Sequence, residues 1–492
     1  MSQTTTTKLA GPGSKKIWSP GILTLFVVQA FDRAGFYALL AVLVLFLIDN
    51  RAIPTADAYI LVGTFTSLIA LAGVGGGILA DKVLGRGRAM AAGYVLAGIG
   101  AVLLTVPAQT AFDLGLGMIA IGTGLVRSNL PPLLGALVGE NEERQTASFH
   151  TLYLATNLGG TIGPIAISLV TLAVGHSAGF LLVSAMYVCS LSFYLFGRKW
   201  LEGHDRPPQS IASKNKTQPF NAGYRPFAVT AGLCLVALVC ATFVLNHPEL
   251  VGWCVLAAFL AVLILYARLL RVQDKQGRSQ VLAHMVVVVV SIAFLAISEQ
   301  LSLSVLIFTQ QDVDRVLFDW NVPTPAFNGL NSAFVVLIGP LVIVVLRYLA
   351  KRNREPDDFF KLGIGCLIAG VSFELLRLGV RITGPDALVP LFWLLLFQAV
   401  LVCGEMLVGP IGLKLANQLS LPGMNGFFIG VFYLAGAGAG YAAGMLAADT
   451  TVGADSSMND FSFGFSVFGL LGLTIGLLTI TARFVRLRNR HH

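Results

Sequence analysis

A run of polar and ionisable residues, Gln29-Ala-Phe-Asp-Arg-Ala-Gly-Phe-Tyr37, interrupts a first segment that is otherwise apolar. Further along, Arg127, His150, Glu299, Glu374, Arg377 and Glu405 fall within predicted membrane segments. An ionisable side chain at bilayer depth costs about 2.5–3.5 kcal/mol on insertion scales, so each needs a partner or a water-filled cavity. Arg33 and Arg127 lie in the first half of the chain and Glu299 and Glu405 in the second. That separation would grip a zwitterion by both ends, and the alternative is that the same four groups pair across the bundle as stabilising bridges. Glu374 and Arg377 are three apart and read as a pair on one helix face. His150 reads as an interfacial histidine rather than a proton relay.

Polar uncharged residues share these segments: Gln29, Tyr37, Tyr153, Asn157, Gln300, Ser302, Ser304, Asn331 and Tyr433. Tyr153 and Asn157 are four apart and so share a face, as do Arg33 and Tyr37. Such groups act either as interhelical glue or as the lining of a cavity. Gly73-Val-Gly-Gly-Gly77 lies inside an apolar helix rather than after a strand, which excludes a phosphate cradle. Small residues there allow close helix approach, and Asp81 with the arginines that follow it could latch helix ends at a gate.

The elements that position these groups follow from composition. Charged residues make up 12% and hydrophobic residues 55% of the 492 positions, against about 25% charged in soluble domains. The net charge of +8 lies in loops rather than on a nucleic-acid face. Apolar runs of bilayer length fall near 20–48, 57–80, 88–108, 112–130, 146–172, 177–197, 226–246, 250–271, 280–310, 326–349, 358–380, 388–417, 424–448 and 460–484. They predict about fourteen transmembrane helices. The polar start leads into a helix too long for a signal h-region, so the first helix is expected to stay. Placing both termini in the cytoplasm puts Lys82, Arg86, Arg88, Arg198, Lys199, Arg347, Lys351 and Arg352 in cytoplasmic loops. The opposite loops then hold only Arg51, Arg315 and Arg381.

The organisation expected is a cytoplasmic tail 1–18, a six-helix bundle 19–197, a cytoplasmic linker 198–225, an inserted helix pair 226–271, a second six-helix bundle 272–485 and a tail 486–492. Substrate in such paired bundles sits near the midplane between the halves. The six cysteines all lie in apolar runs without metal-ligand spacing and read as buried structural thiols. Within the apolar segments there is no HExxH, GxSxG or paired-aspartate site, so an enzyme is not expected.

Four stretches carry a family resemblance: Gly77-Ile-Leu-Ala-Asp-Lys-Val-Leu-Gly85, Gly122-Thr-Gly-Leu-Val-Arg-Ser-Asn129, Phe149-His-Thr-Leu-Tyr-Leu-Ala-Thr-Asn-Leu-Gly159 and Gly404-Glu-Met-Leu-Val-Gly-Pro-Ile-Gly412. With them the chain resembles, over nearly its whole length, the proton-dependent oligopeptide transporters of the major facilitator superfamily. The inserted pair 226–271 is similar to the fourteen-helix form of prokaryotic members. The resemblance implies an all-α membrane protein of two six-helix bundles that takes up small peptides with protons. The proton gradient would serve as energy source, no cofactor would be needed, and a single chain in the bacterial inner membrane would transport. It implies that Arg33 and Arg127 hold the peptide carboxylate, and that Glu405 meets the amino terminus with Asn157 and Asn331 nearby. Glu299 would be a proton-linked gate residue that pairs with Arg33, and Phe36, Tyr37, Tyr153 and Phe432 would shape side-chain pockets. The chain also departs from the pattern. The family's first helix reads Glu-x-x-Glu-Arg-Phe-x-Tyr-Tyr, whereas Gln29, Asp32, Arg33, Ala34, Phe36 and Tyr37 stand here. Gln29 cannot titrate, so coupling would rest on Asp32, Glu299 or Glu405. Arg127 replaces the usual lysine and stays charged. The alternative is a relative that carries another small amphoteric or anionic solute, without the usual proton coupling.

Overall fold

The computed structural model describes residues 19–80, 84–139, 142–201, 238–243, 245–352, 354, 356–421, 424–450 and 458–488, together with 232 and 235. Asp81, nearly all of the expected linker 198–225 and the tail 1–18 lie outside these residues. The described helices are α1 (Pro20–Asp49), α2 (Thr55–Leu79), α3 (Arg86–Leu103), α4 (Gln109–Val138), α5 (Glu142–Val174) and α6 (His176–Gly197). They continue with α7 (Pro248–Val272), α8 (Lys275–Ser298), α9 (Ser304–Asp312), α10 (Ala326–Lys351), α11 (Asp358–Thr383), α12 (Leu391–Gln418), α13 (Asn425–Thr450) and α14 (Met458–Arg488). Twelve spans among the described residues are long and apolar enough to cross a bilayer, with 275–312 counted as one. With α3 and the helical residues 238–243 they account for the fourteen helices expected.

Burial ranks the helices by place. In α1, 83% of the apolar window is buried, against 17% in α7 and 11% in α10, so α1 is central and the other two are exposed over most of their surface. Ser19 caps α1, its hydroxyl accepting from the Ile22 amide, and Pro20 opens the first turn where no donor is lost.

Small residues bring the two halves together. A Cβ on Gly63 of α2 would lie 2.5 Å from the Gly440 carbonyl of α13, and Ser67 Oγ donates to Ala437 O at 2.7 Å. Between α5 and α10, a Cβ on Gly160 would strike the Ser332 hydroxyl, and one on Gly329 would come 2.8 Å from Thr161 O. By the loop-charge orientation, Gly329 and Ser332 lie in the external half of α10 and Gly63 in the external half of α2. Within the first half, α5 meets α1 so tightly at Gly159 and Gly163 that a methyl at either would touch α1 backbone. The glycine run of α2 packs in part as expected: Gly76 lies against Leu125 of α4, while Gly75 meets nothing.

Two expectations need correction. The span expected at 280–310 is broken, because α8 ends at Ser298, a 3-10 turn covers Glu299–Ser302, and Leu303 (φ −116°, ψ −106°) precedes α9. Among the five described cysteines only Cys366 is buried, while Cys240 and Cys254 are exposed. An apolar residue in a membrane span can face lipid as readily as the core, so hydropathy alone does not bury a thiol. Outside the helices, β1 (Val313–Asp314) pairs in parallel with β4 (Val389–Pro390), and β2 (Val316–Leu317) forms a hairpin with β3 (Trp320–Asn321).

Candidate functional site

The charged pair of α1 is buried inside the first half. Asp32 is fully buried and Arg33 is 6% exposed. Arg33 Nε donates to Asp32 Oδ2 at 2.8 Å, and Nη2 donates to the same oxygen. The expected Arg33–Glu299 pair is therefore not formed, and no ion pair between them occurs among the described residues. Neighbouring positions on a helix do not normally face each other. Here the long arginine side chain folds back because an apolar interior offers it no nearer anion. Gln29 donates to Thr156 Oγ1 of α5 at 2.8 Å, which uses the residue as an α1–α5 bridge.

Arg127 of α4 stands apart from this pair. It makes no ion pair or hydrogen bond among the described residues, and its guanidinium lies over the Phe36 ring, 4.3 Å from the centroid. Arg33 approaches the same ring at 5.6 Å, so Phe36 contacts both cations. A cation over an aromatic face is stabilised by the ring quadrupole without losing its donors. Arg127 is exposed, and the charges that act on it include Arg33, Asp32 and, from the other half, Glu299. The arginine electrostatically linked to Glu299 is thus Arg127.

The break after α8 presents Glu299. Gln300 holds it: its side-chain amide donates to Ala296 O at 3.2 Å and to Ala443 O of α13 at 3.0 Å, and its carbonyl accepts from Ser304 Oγ at 2.8 Å. These bonds satisfy backbone and side-chain groups that a helix interruption at bilayer depth would otherwise strand. Glu405 of α12 accepts from Asn331 Nδ2 of α10 at 3.4 Å, with Ser298 and Glu299 as its other polar neighbours. The acidic half of the site therefore draws on the turn after α8, on α10 and on α12.

Tyr153 and Asn157 share a face of α5 as expected. Asn157 Nδ2 donates to the Tyr153 carbonyl at 2.9 Å, and Tyr153 Oη reaches the Met406 sulfur at 3.7 Å, beside Glu405. Tyr37 packs edge-on to Phe36, with ring centroids 5.1 Å apart, and lies against Gly160 at the α5–α10 contact. Phe432 of α13 is half-buried against Gly412 of α12. Away from this region, Glu374 and Arg377 form the expected pair at 2.7 Å, and His150 is exposed on α5.

Several residues around Asp32 carry no signal in the sequence. Asp32 Oδ1 and the hydroxyls of Tyr94, Tyr187 and Thr123 are buried and meet no hydrogen-bond geometry among the described residues. Asp32 is an electrostatic neighbour of both tyrosines, and Tyr187 packs its ring on Gly35 of α1. Buried tyrosines in apolar helices look like packing residues from sequence, and only their convergence on one carboxylate marks them.

A model of the POT family matches residues 87–463. The chain belongs to the POT family. Among the POT relatives, the dipeptide and tripeptide permease A of Cronobacter turicensis is 25% identical over 457 residues, covering 92% of this chain and 89% of the relative. The di-/tripeptide transporter of Lactococcus lactis is 25% identical over 84% of this chain and 86% of its own length. A solved POT transporter in complex with a thioalcohol-conjugated peptide is 25% identical and superimposes with a TM-score of 0.80, covering 95% of this chain and 96% of the other. A second, peptide transporter POT in complex with alafosfalin, superimposes with a TM-score of 0.80 at 23% identity over 95% and 94% of the two chains, which establishes the shared fold. The protein is thus a multi-pass membrane transporter with the two-bundle fold expected.

Proposed function

We infer that the chain is a secondary active symporter of di- and tripeptides or peptide-like compounds, working by alternating access in the bacterial inner membrane. The observation that carries this is a guanidinium, Arg127, with no ion pair among the described residues, that rests on the Phe36 ring and feels the field of Glu299 in the opposite half, which in turn neighbours Glu405. A free cation and a free anion on separate bundles match the two ends of a zwitterion, and binding such a ligand draws the bundles together. Arg127 receives the peptide carboxylate through its bidentate fork. Arg33, engaged by Asp32, keeps its remaining donors for a second contact. Glu405 receives the amino terminus, steadied by Asn331 and with Asn157 nearby. Phe36, Tyr37, Tyr153 and Phe432 supply the apolar and aromatic walls.

Protons from the gradient are the energy source, and no cofactor is required. Because Gln29 cannot titrate, the proton is carried among Asp32, Glu299 and Glu405. Asp81 is assigned to the cytoplasmic gate, and one chain suffices for transport. The Gln29 amide bridging to Thr156 favours a second reading, transport of an amphoteric or anionic solute without proton coupling. Uptake of a labelled dipeptide into proteoliposomes, with and without an imposed pH gradient, separates the two. Accumulation above equilibrium only with the gradient supports symport, downhill uptake insensitive to it supports the second reading, and no uptake of any peptide removes the first.

A further inference from the structure

Away from the candidate substrate site, α11 and α14 pack backbone to backbone. A Cβ on Gly370 would lie 2.7 Å from Gly469 O, and one on Gly476 would lie 2.7 Å from Gly363 O. This contact ends where Glu374 covers Gly469, its Oε1 2.6 Å from where a Cβ would stand. Beyond that point, toward the external ends, the helices part around a cavity of about 470 Å³. Arg377 and Arg381 line it from α11, one turn apart, and Asn459, Ser462 and Ser466 line it from α14 with the spacing of one helix face.

The charge in this cleft is uneven. Arg377 is matched by Glu374 at 2.7 Å, whereas Arg381 makes no ion pair among the described residues and no carboxylate lines the cavity. Arg381 is also one of the few cations on the side that basic residues avoid, so its place is not explained by topology. Apolar surface adjoins it: Phe463 of the lining is 61% exposed, and Leu378 and Ile382, each next to a lining arginine in α11, are 45% and 65% exposed. A cation with hydroxyl and amide donors at the end of two membrane helices, edged by aliphatic and aromatic surface, suits an anion that carries its own hydrocarbon.

We propose that the external end of the α11–α14 cleft binds a phosphate-bearing anion, and that in the bilayer this is the headgroup of an acidic phospholipid of the outer leaflet. Arg381 meets the phosphate, Ser462, Ser466 and Asn459 donate to its remaining oxygens, and the acyl chains run along Leu378, Ile382 and Phe463. The site is separate from the substrate cavity, and its occupancy ties α11 to α14 where their glycine contact has ended.

The test uses the purified full chain in nanodiscs of phosphatidylcholine, with native mass spectrometry counting retained lipid and thermal unfolding read alongside. Phosphatidylglycerol is titrated in one arm and inorganic phosphate in the other. One tightly retained phosphatidylglycerol is expected, weakened about tenfold by Arg381→Gln through loss of a charge-assisted bond. It should also weaken in Ser466→Val, which removes a hydroxyl donor from the cavity without altering charge, and be unchanged in Arg51→Gln, an external cation away from the cleft. Stabilisation by inorganic phosphate without any by phosphatidylglycerol would overturn the lipid assignment. Equal lipid retention in Arg381→Gln and the unsubstituted protein would overturn the site.

Discussion

Removing the carboxylate that holds Arg33 should cost more than any other single change in the cavity. In Asp32→Ala the guanidinium, 7% exposed, loses an acceptor that is fully buried and that takes both its Nε and its Nη2. Hydrogen bonds involving a charged group contribute about 1.5–3 kcal/mol each, which brackets the pair of bonds at about 3–6 kcal/mol. Breaking a buried ion pair by deleting one partner costs about 3–5 kcal/mol, and the two estimates overlap. Solvent screening reduces this figure little, because both side chains are buried. Much of the cost is the stranded charge, so Asp32→Ala combined with Arg33→Leu should destabilise by less than the sum of the single changes, with a coupling of about 1–3 kcal/mol. Equilibrium unfolding in mixed micelles of the four proteins in this cycle measures it. Additive effects within about 0.5 kcal/mol would refute the pairing and restore an Arg33 available to Glu299.

Arg127→Lys keeps the charge but loses the planar fork, and should raise the dipeptide KM about tenfold with little change in maximal rate. Initial uptake rates across substrate concentration check this. Glu405→Gln should abolish the preference for peptides with a free amino terminus over their N-acetylated forms, read by competition against a labelled dipeptide. Gly63→Ala places a methyl 2.5 Å from the Gly440 carbonyl, and overpacking of this kind costs about 1–3 kcal/mol. An unchanged unfolding temperature would show that α2 and α13 do not press together there. Gln29→Glu puts a titratable group beside Thr156, and uptake should then depend more steeply on the imposed pH gradient.

Much of the fold is legible in the chain itself, because crossing a bilayer is a local property. A helix needs about 20 apolar residues whatever its neighbours, so the spans, their count and their orientation follow from hydropathy and loop charge. The cost of burying charge likewise marks Asp32, Arg33, Arg127, Glu299 and Glu405 before any coordinates exist. Which of them pair is another matter. That depends on the rotation of each helix about its axis and on contacts between segments hundreds of residues apart. Adjacent Asp32 and Arg33 would not face each other on a helix by spacing alone, yet they bind, and Arg127 is left unpaired. The interruption at Glu299 was invisible for a similar reason: no glycine or proline lies between Arg278 and Asp312 to announce it. It is held by Gln300 reaching Ala443, a partner 143 positions away. The composition of α1 alone pointed to a transporter, but only packing decided that its arginine is occupied by its own neighbour while the arginine of α4 stays free. A hydropathy pattern records what each residue avoids, and the tertiary structure alone records what it finds.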